Sequence, residues 1–98
     1  MALKIVIEPL AEIDINEAVY WYESKKKGLG ESFLMNFRDA MESISEFPET
    51  FRIRHKAIRA FSLDKFPYNV HYKIEKNAVH VFAVIHQKRN PLLWKQRT

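Results

Sequence analysis

The chain has 98 residues, no cysteine and a net charge of +4, and it is 47% hydrophobic and 13% aromatic with only 2 glycines. That length supports one domain, residues 1–98, with a single core, and the composition argues against disorder. Without cysteine, disulfides, thiolate nucleophiles and cysteine-based zinc sites are excluded, and without a long apolar run or a secretory leader in MALKIVIEPL, a soluble cytoplasmic protein that makes no membrane contact is expected.

Leu3 to Glu8 is rich in β-branched residues and is halted by Pro9, which cannot donate to a ladder, so it reads as a strand. Beyond it Ala11, Ile15, Ala18 and Tyr22 recur at i, i+4, i+7 and i+11 with Val19 beside them, an apolar helical stripe of about three turns. Glu12, Asp14 and Glu17 sit early and Lys25 to Lys27 late, as the helix dipole favours, and Gly28 reads as the cap that ends the helix. Trp21 lies off the stripe; it either covers the seam between helices or faces a partner. A second helix is predicted from Glu31 to Phe47, with Phe33, Phe37, Ala40, Met41, Ile44 and Phe47 on one face, Leu34 flanking and Pro48 closing it. The short Gly28 to Gly30 junction makes the two an antiparallel helical hairpin whose aromatic residues form core.

The charge is segregated along the chain. Residues 1–49 hold 5 Lys+Arg against 10 Asp+Glu, a balance of −5, whereas residues 50–98 hold 11 against 2, a balance of +9. A basic surface of that kind suits a phosphate backbone or an acidic protein segment, although a dipolar solvated surface gives the same count. The densest run is Phe51 to Arg59, with Arg52, Arg54, His55, Lys56 and Arg59.

Alternation from Ile58 to Leu63 predicts a strand leading into a turn at Asp64 and Lys65. Pro67 starts another, in which Val70, Tyr72 and Ile74 alternate with Asn69, His71 and Lys73. Glu75, Lys76 and Asn77 break it, Asn77 being the expected left-handed turn residue. The strand Ala78 to His86 then places Val79, Val81, Ala83 and Ile85 on one face and His80, Phe82, Val84 and His86 on the other. Gln87, Lys88 and Arg89 follow, and a tail whose Trp94 is expected to pack back on the fold.

The order β-α-α-β-β-β specifies an α+β fold of two layers, the helical hairpin covering one face of a small, mostly antiparallel sheet. The opposite face, carrying Asn69, His71, Lys73, His80, Phe82, Val84 and His86, is expected to be open and functional. His80 and His86 lie on the order of 20 Å apart along the strand, too far to share an ion, so no metal site and no cofactor are expected.

Several features taken in order resemble a known family. They are the pair Trp21-Tyr22, the Gly28-Leu29-Gly30 junction before Phe33, Phe47-Pro48 closing the second helix, Phe66-Pro67-Tyr68 before an aromatic-rich strand, and a last strand ending Val84-Ile85-His86 with Arg89 and Pro91. Together they resemble the RelE/ParE superfamily of type II toxins, the toxin halves of bacterial toxin–antitoxin modules that arrest growth and serve in plasmid stabilization, and lie closer to its ParE-like branch. The resemblance covers nearly the whole chain. It implies a toxin neutralised by a small cognate antitoxin through an acidic C-terminal segment. ParE-like members inhibit DNA gyrase by binding; RelE-like members cut mRNA, usually on the ribosome. The gyrase reading is preferred here, because apolar Phe82 and Val84 interrupt the face where a ribonuclease would need a dense acid–base cluster. In the alternative, a metal-independent endoribonuclease, the resemblance places catalysis on His86 and Arg89 and phosphate binding on Arg54 and Arg59. A third reading, from the basic half alone, is a non-toxic module that binds antitoxin or nucleic acid. Arg52, Arg54, Lys56, Arg59, His71 and Lys88 are the candidate contacts to phosphate or antitoxin. His86 reads equally well as a hydrogen-bonded structural histidine.

Overall fold

The computed structural model describes residues 2–97. Its elements run β1 (Lys4–Ile7), α1 (Pro9–Lys25), α2 (Leu29–Glu46), β2 (Ile53–His55), β3 (Ile58–Ser62), β4 (Tyr68–Glu75), β5 (Ala78–His86) and α3 (Leu92–Lys95). The strands form one sheet in the order β1-β5-β4-β3-β2. β1 lies parallel to β5, the helical hairpin carries the chain from β1 at one edge of the sheet to β2 at the other, and the remaining neighbours are antiparallel. The α+β architecture expected from the sequence is therefore present, with a short edge strand, β2, and a C-terminal turn of helix, α3, added to it.

The helical hairpin is set by its glycines. Gly28 was expected to end the first helix, but Lys26 caps it through an N–H to the Tyr22 carbonyl at 3.1 Å. Gly28 instead precedes α2 with a φ of 89°, a left-handed conformation that a Cβ would strain. Gly30 is required for a different reason: a Cβ there would lie 2.7 Å from the Val19 carbonyl oxygen, so the helices could not approach as they do. The Glu23 carboxylate accepts from the N–H groups of both glycines, at 3.0 and 3.0 Å, placing an anion at the start of α2 where unpaired amides and the dipole favour it.

The core between helices and sheet joins Ala11, Ile15, Ala18, Phe33, Phe37, Ala40 and Ile44 to Val70, Tyr72, Val79, Val81 and Val84. Tyr72 is fully buried, and its hydroxyl donates to the Pro48 carbonyl at 2.7 Å. Burial pushes its pKa up to about 12, the Arg59 guanidinium opposing the shift. Asn36 is also buried on α2; its amide holds the β3–β4 turn through Asp64 Oδ1 and the Lys65 N–H. Phe47, expected in the core, is 56% exposed because the chain leaves helical geometry there and carries the ring off the apolar stripe. The β4–β5 turn is made by Lys76 and Asn77, both left-handed at φ 53° and 60°, as a two-residue hairpin requires.

A β-bulge corrects the expected faces of β5. Val70 pairs with Val84 and His71 with Ala83, but Tyr72 pairs with Val81, so Phe82 is the extra residue. Alternation changes phase at that point. Val79, Val81 and Val84 all face the helices, whereas Ala83 and Ile85, expected in that core, join Phe82 on the other face.

That other face is not open. Ala83 and Ile85 pack with Ile58, Phe82 and Trp94 into a second cluster, with Leu93 against it. The Trp94 ring stacks on His71 at a centroid distance of 4.3 Å and 17° between planes. A strap formed by α3 thus covers the sheet face that sequence alternation had left to solvent.

Candidate binding site

Two clefts flank the exit of β5. His86 closes the strand with its ring against Tyr68 at 5.3 Å, and Tyr68 in turn packs edge-on to Phe33 at 5.1 Å, so the imidazole is seated on the core aromatic cluster. The chain then folds back tightly: the Gln87 N–H donates to the Pro67 carbonyl (2.8 Å) and the Arg89 N–H to the His86 carbonyl (2.9 Å). This turn brings Arg89 beside His86 and makes the two a ridge between the clefts.

The larger cleft, about 280 Å³, is bounded by Asp14, Glu17 and Trp21 of α1, by Tyr68 and His86, and by Arg89 and Arg97. Trp21, 53% exposed, forms its outer lip with the Lys25 ammonium 4.0 Å above the ring centroid. Its inner wall is a fastened pair: Arg97 donates to Asp14 at 2.6 and 3.2 Å and to the Phe82 carbonyl at 3.1 Å. Asp14 also accepts the Val84 N–H at 3.0 Å. The smaller cleft, about 100 Å³, is lined by Arg54, Asn69, His71, His86, Gln87 and Arg89, with Trp94 as one wall.

The candidates read from the sequence separate here. His86, Arg89 and Arg54 do converge, Arg54 reaching the smaller cleft from β2. Arg59 does not: its guanidinium donates to the carbonyls of Glu49 (3.0 Å) and Phe51 (2.8 Å), pinning the loop after α2. Arg52 and Lys56 are exposed on or beside the edge strand β2, Lys56 in a left-handed turn, and Lys88 is exposed on the turn after β5. His71 was expected on an open face and is 3% exposed beneath Trp94. Burial lowers its pKa to about 4, with the Arg54 and Arg97 guanidiniums adding to the shift, so its ring is neutral at neutral pH. Asp14 and Arg97 were not singled out as site residues, and Asn69 was read only as one residue of the face expected to be functional. Asp14 reads in sequence as a dipole-favoured acid of the first helix, and nothing local signals a partner as far along the chain as Arg97.

The histidines constrain the chemistry. His86 Nδ1 accepts the Lys88 N–H at 3.1 Å, so the neutral ring carries its proton on Nε2. His80 Nδ1 lies 2.9 Å from Glu8 Oε2, away from the clefts, and His55 packs edge-on to Trp94 at 6.1 Å. Arg54 and Arg89 present charge, His86 presents an Nε2–H donor, and the arrangement suits binding of anionic groups.

Residues 5–91 match the family model described as the ParE toxin of the type II toxin–antitoxin system parDE. The chain belongs to the ParE toxin family. It is the toxin component of a type II toxin–antitoxin system, as the resemblance in its sequence implied. A chain from the solved chromosomal ParDE system of P. aeruginosa superposes with a TM-score of 0.66 at 11% identity, covering 87% of this chain and 96% of that one. At that identity the likeness is one of fold. No curated protein sequence matches the chain. Among the described residues, no helix of this ParE-family chain is long and apolar enough to cross a membrane.

Proposed function

We propose that this toxin arrests growth by inhibiting DNA gyrase through binding, without hydrolysing a substrate. Family membership supports the target, and the observation that carries the mechanism is the state of His86. Cleavage of RNA without a metal needs a base with a free lone pair for the 2′-hydroxyl proton. The Nδ1 lone pair of His86 is already taken by the Lys88 amide, and protonating the ring would break that bond. The exposed cations and the cleft beside Trp21 are then a docking surface.

The cognate antitoxin neutralises the toxin through an acidic, partly disordered segment. β2 is a terminal strand of the sheet, and it carries Arg54 and the 51% exposed Ile53 between the exposed Arg52 and Lys56. Such an edge accepts an extended acidic peptide through both main-chain hydrogen bonds and charge.

Purified toxin added to a gyrase supercoiling reaction is expected to abolish supercoiling and to leave translated mRNA intact. Undiminished supercoiling at saturating toxin, with mRNA cleavage lost in His86→Ala and Arg89→Ala, would assign the site to a ribosome-dependent endoribonuclease instead.

A further inference from the structure

We propose that the outer edge of β1, with the groove it forms beside α2, docks an extended protein segment that presents lysine or arginine side chains at alternate positions. β1 is a terminal strand of the sheet, at the opposite edge from β2. Successive residues of a strand direct their N–H and C=O groups to opposite edges. The Glu8 N–H donates to the Val81 carbonyl of β5 at 2.8 Å, whereas Leu3 points the other way: its N–H donates to the Ser45 carbonyl at 2.9 Å and its carbonyl accepts from Ser45 Oγ. Ile5 and Ile7 share the direction of Leu3, and among the described residues no strand lies there to pair with them. Such an edge is a template for one more strand.

Beside that edge lies a groove of about 590 Å³ between β1 and α2. Its floor is apolar, made by Ile5 and Met41, both of which also pack on the core. Its rim is acidic: Glu42 and Glu46 are exposed and have no ion-pair partner among the described residues. Arg38, the one cation of α2, pairs with neither. An apolar floor with a carboxylate rim fits a long basic side chain, whose methylene stem covers the floor while its charged head meets the rim.

The spacing specifies the pattern. α2 follows the edge, Ser45 meeting Leu3 and Met41 sharing the groove with Ile5. Glu42 and Glu46 are one helical turn apart, about 6 Å, and two residues on one face of a strand are separated by about 7 Å. A segment of two basic residues with one residue between them, laid along β1, therefore brings one charged head to each carboxylate. The middle residue faces the other side of β1, where alternation puts Lys4 and Val6, so an uncharged side chain suits it. A second copy of this chain does not fit as well, because β1 paired with its own copy brings two acidic rims together. The two edges of the sheet thus differ in charge: β2 offers Arg52 and Arg54 to an acidic segment and β1 offers carboxylates to a basic one, so the two partners do not compete.

The test is a titration of the intact protein with the end-capped peptide Thr-Lys-Val-Lys-Thr at constant ionic strength, followed by the backbone amide resonances and hydrogen exchange of Ile5 and Ile7. Saturable shifts of both amides with slowed exchange are expected, and the same peptide with Glu in place of Lys should leave both unmoved. Glu42→Gln and Glu46→Gln should each weaken binding about threefold, the scale of a solvent-exposed ion pair. Asp39→Asn removes the same charge from an exposed position of α2 outside the groove and should leave the affinity unchanged. Shifts that never saturate, equal binding of the Glu peptide at this edge, an equal loss in Asp39→Asn, or binding that leaves the Ile5 and Ile7 amides unmoved would overturn the proposal. Protection of those amides that rises with protein concentration alone would overturn it too, by giving the edge to a second copy. Neither gyrase nor antitoxin enters this measurement, so its outcome is separate from that of the supercoiling assay.

Discussion

Asp14→Ala asks whether the C-terminal strap is fastened by its ion pair. β1 pairs with β5 only as far as Val81, so the edge of β5 beyond it has no strand alongside, and Asp14 and Arg97 take the place of one. Their side chains are 12% and 20% exposed. Removing one partner of a fully buried pair costs about 3–5 kcal/mol, and the residual exposure here, which lets water reach the stranded Arg97, lowers that to about 2 kcal/mol. The Val84 amide loses its acceptor as well, adding about 1 kcal/mol. A total of about 3 kcal/mol is expected for Asp14→Ala, and about 1–2 kcal/mol for Asp14→Asn, which retains an acceptor for the amide. In urea, with a slope of about 1.5 kcal/mol/M for a domain of this size, the alanine variant should lower the midpoint by about 2 M at unchanged slope. Two results would refute the reasoning: a shift below about 0.5 M, or an Asp14→Ala/Arg97→Met cycle with coupling under about 0.5 kcal/mol.

Three further outcomes follow from the packing. The folded-state pKa of His71 lies at about 4, below its ordinary 6.5. The stability it contributes is therefore complete above pH 6.5 and is lost as pH falls through 4, about 3 kcal/mol in all; acid denaturation should show this limb, and His71→Gln should flatten it. Tyr72 has the opposite sign: its pKa rises from 10 to about 12, so its contribution holds below pH 10 and is lost as pH climbs through 12. Tyr72→Phe should remove that alkaline limb and cost about 1 kcal/mol at pH 7 through the bond to Pro48, measured by denaturant unfolding. Gly30→Ala drives a Cβ against the Val19 carbonyl and should destabilise by about 1–3 kcal/mol, seen as a fall in Tm of roughly 4–8 °C per kcal/mol.

Most of the fold was legible because its signals are local. The stripe Ala11, Ile15, Ala18 has helical spacing, Pro9 marks the boundary of β1, and Asn77 sits where a two-residue turn needs a positive φ. The family, too, could be recognised from residues in order. The faces of β5 could not be read past Phe82, because periodicity assumes an unbroken ladder and a bulge is a property of the pairing between strands. One extra residue exchanged Val84 with Ala83 and Ile85 between faces, and so misplaced the surface on which function was expected.

The candidate site divides along the same line. Sequence alone determined that positive charge gathers in the second half of the chain and that His86 and Arg89 stand at the exit of the last strand. Tertiary structure decided which of those charges are free. Arg59 is held by backbone carbonyls, His71 is covered by Trp94, and Arg54 joins Arg89 over a cleft without acids. The physical reason is range. A charge is visible in a residue's name, but whether it is neutralised depends on groups within a few ångströms, and here those groups come from segments as distant along the chain as Asp14 and Arg97.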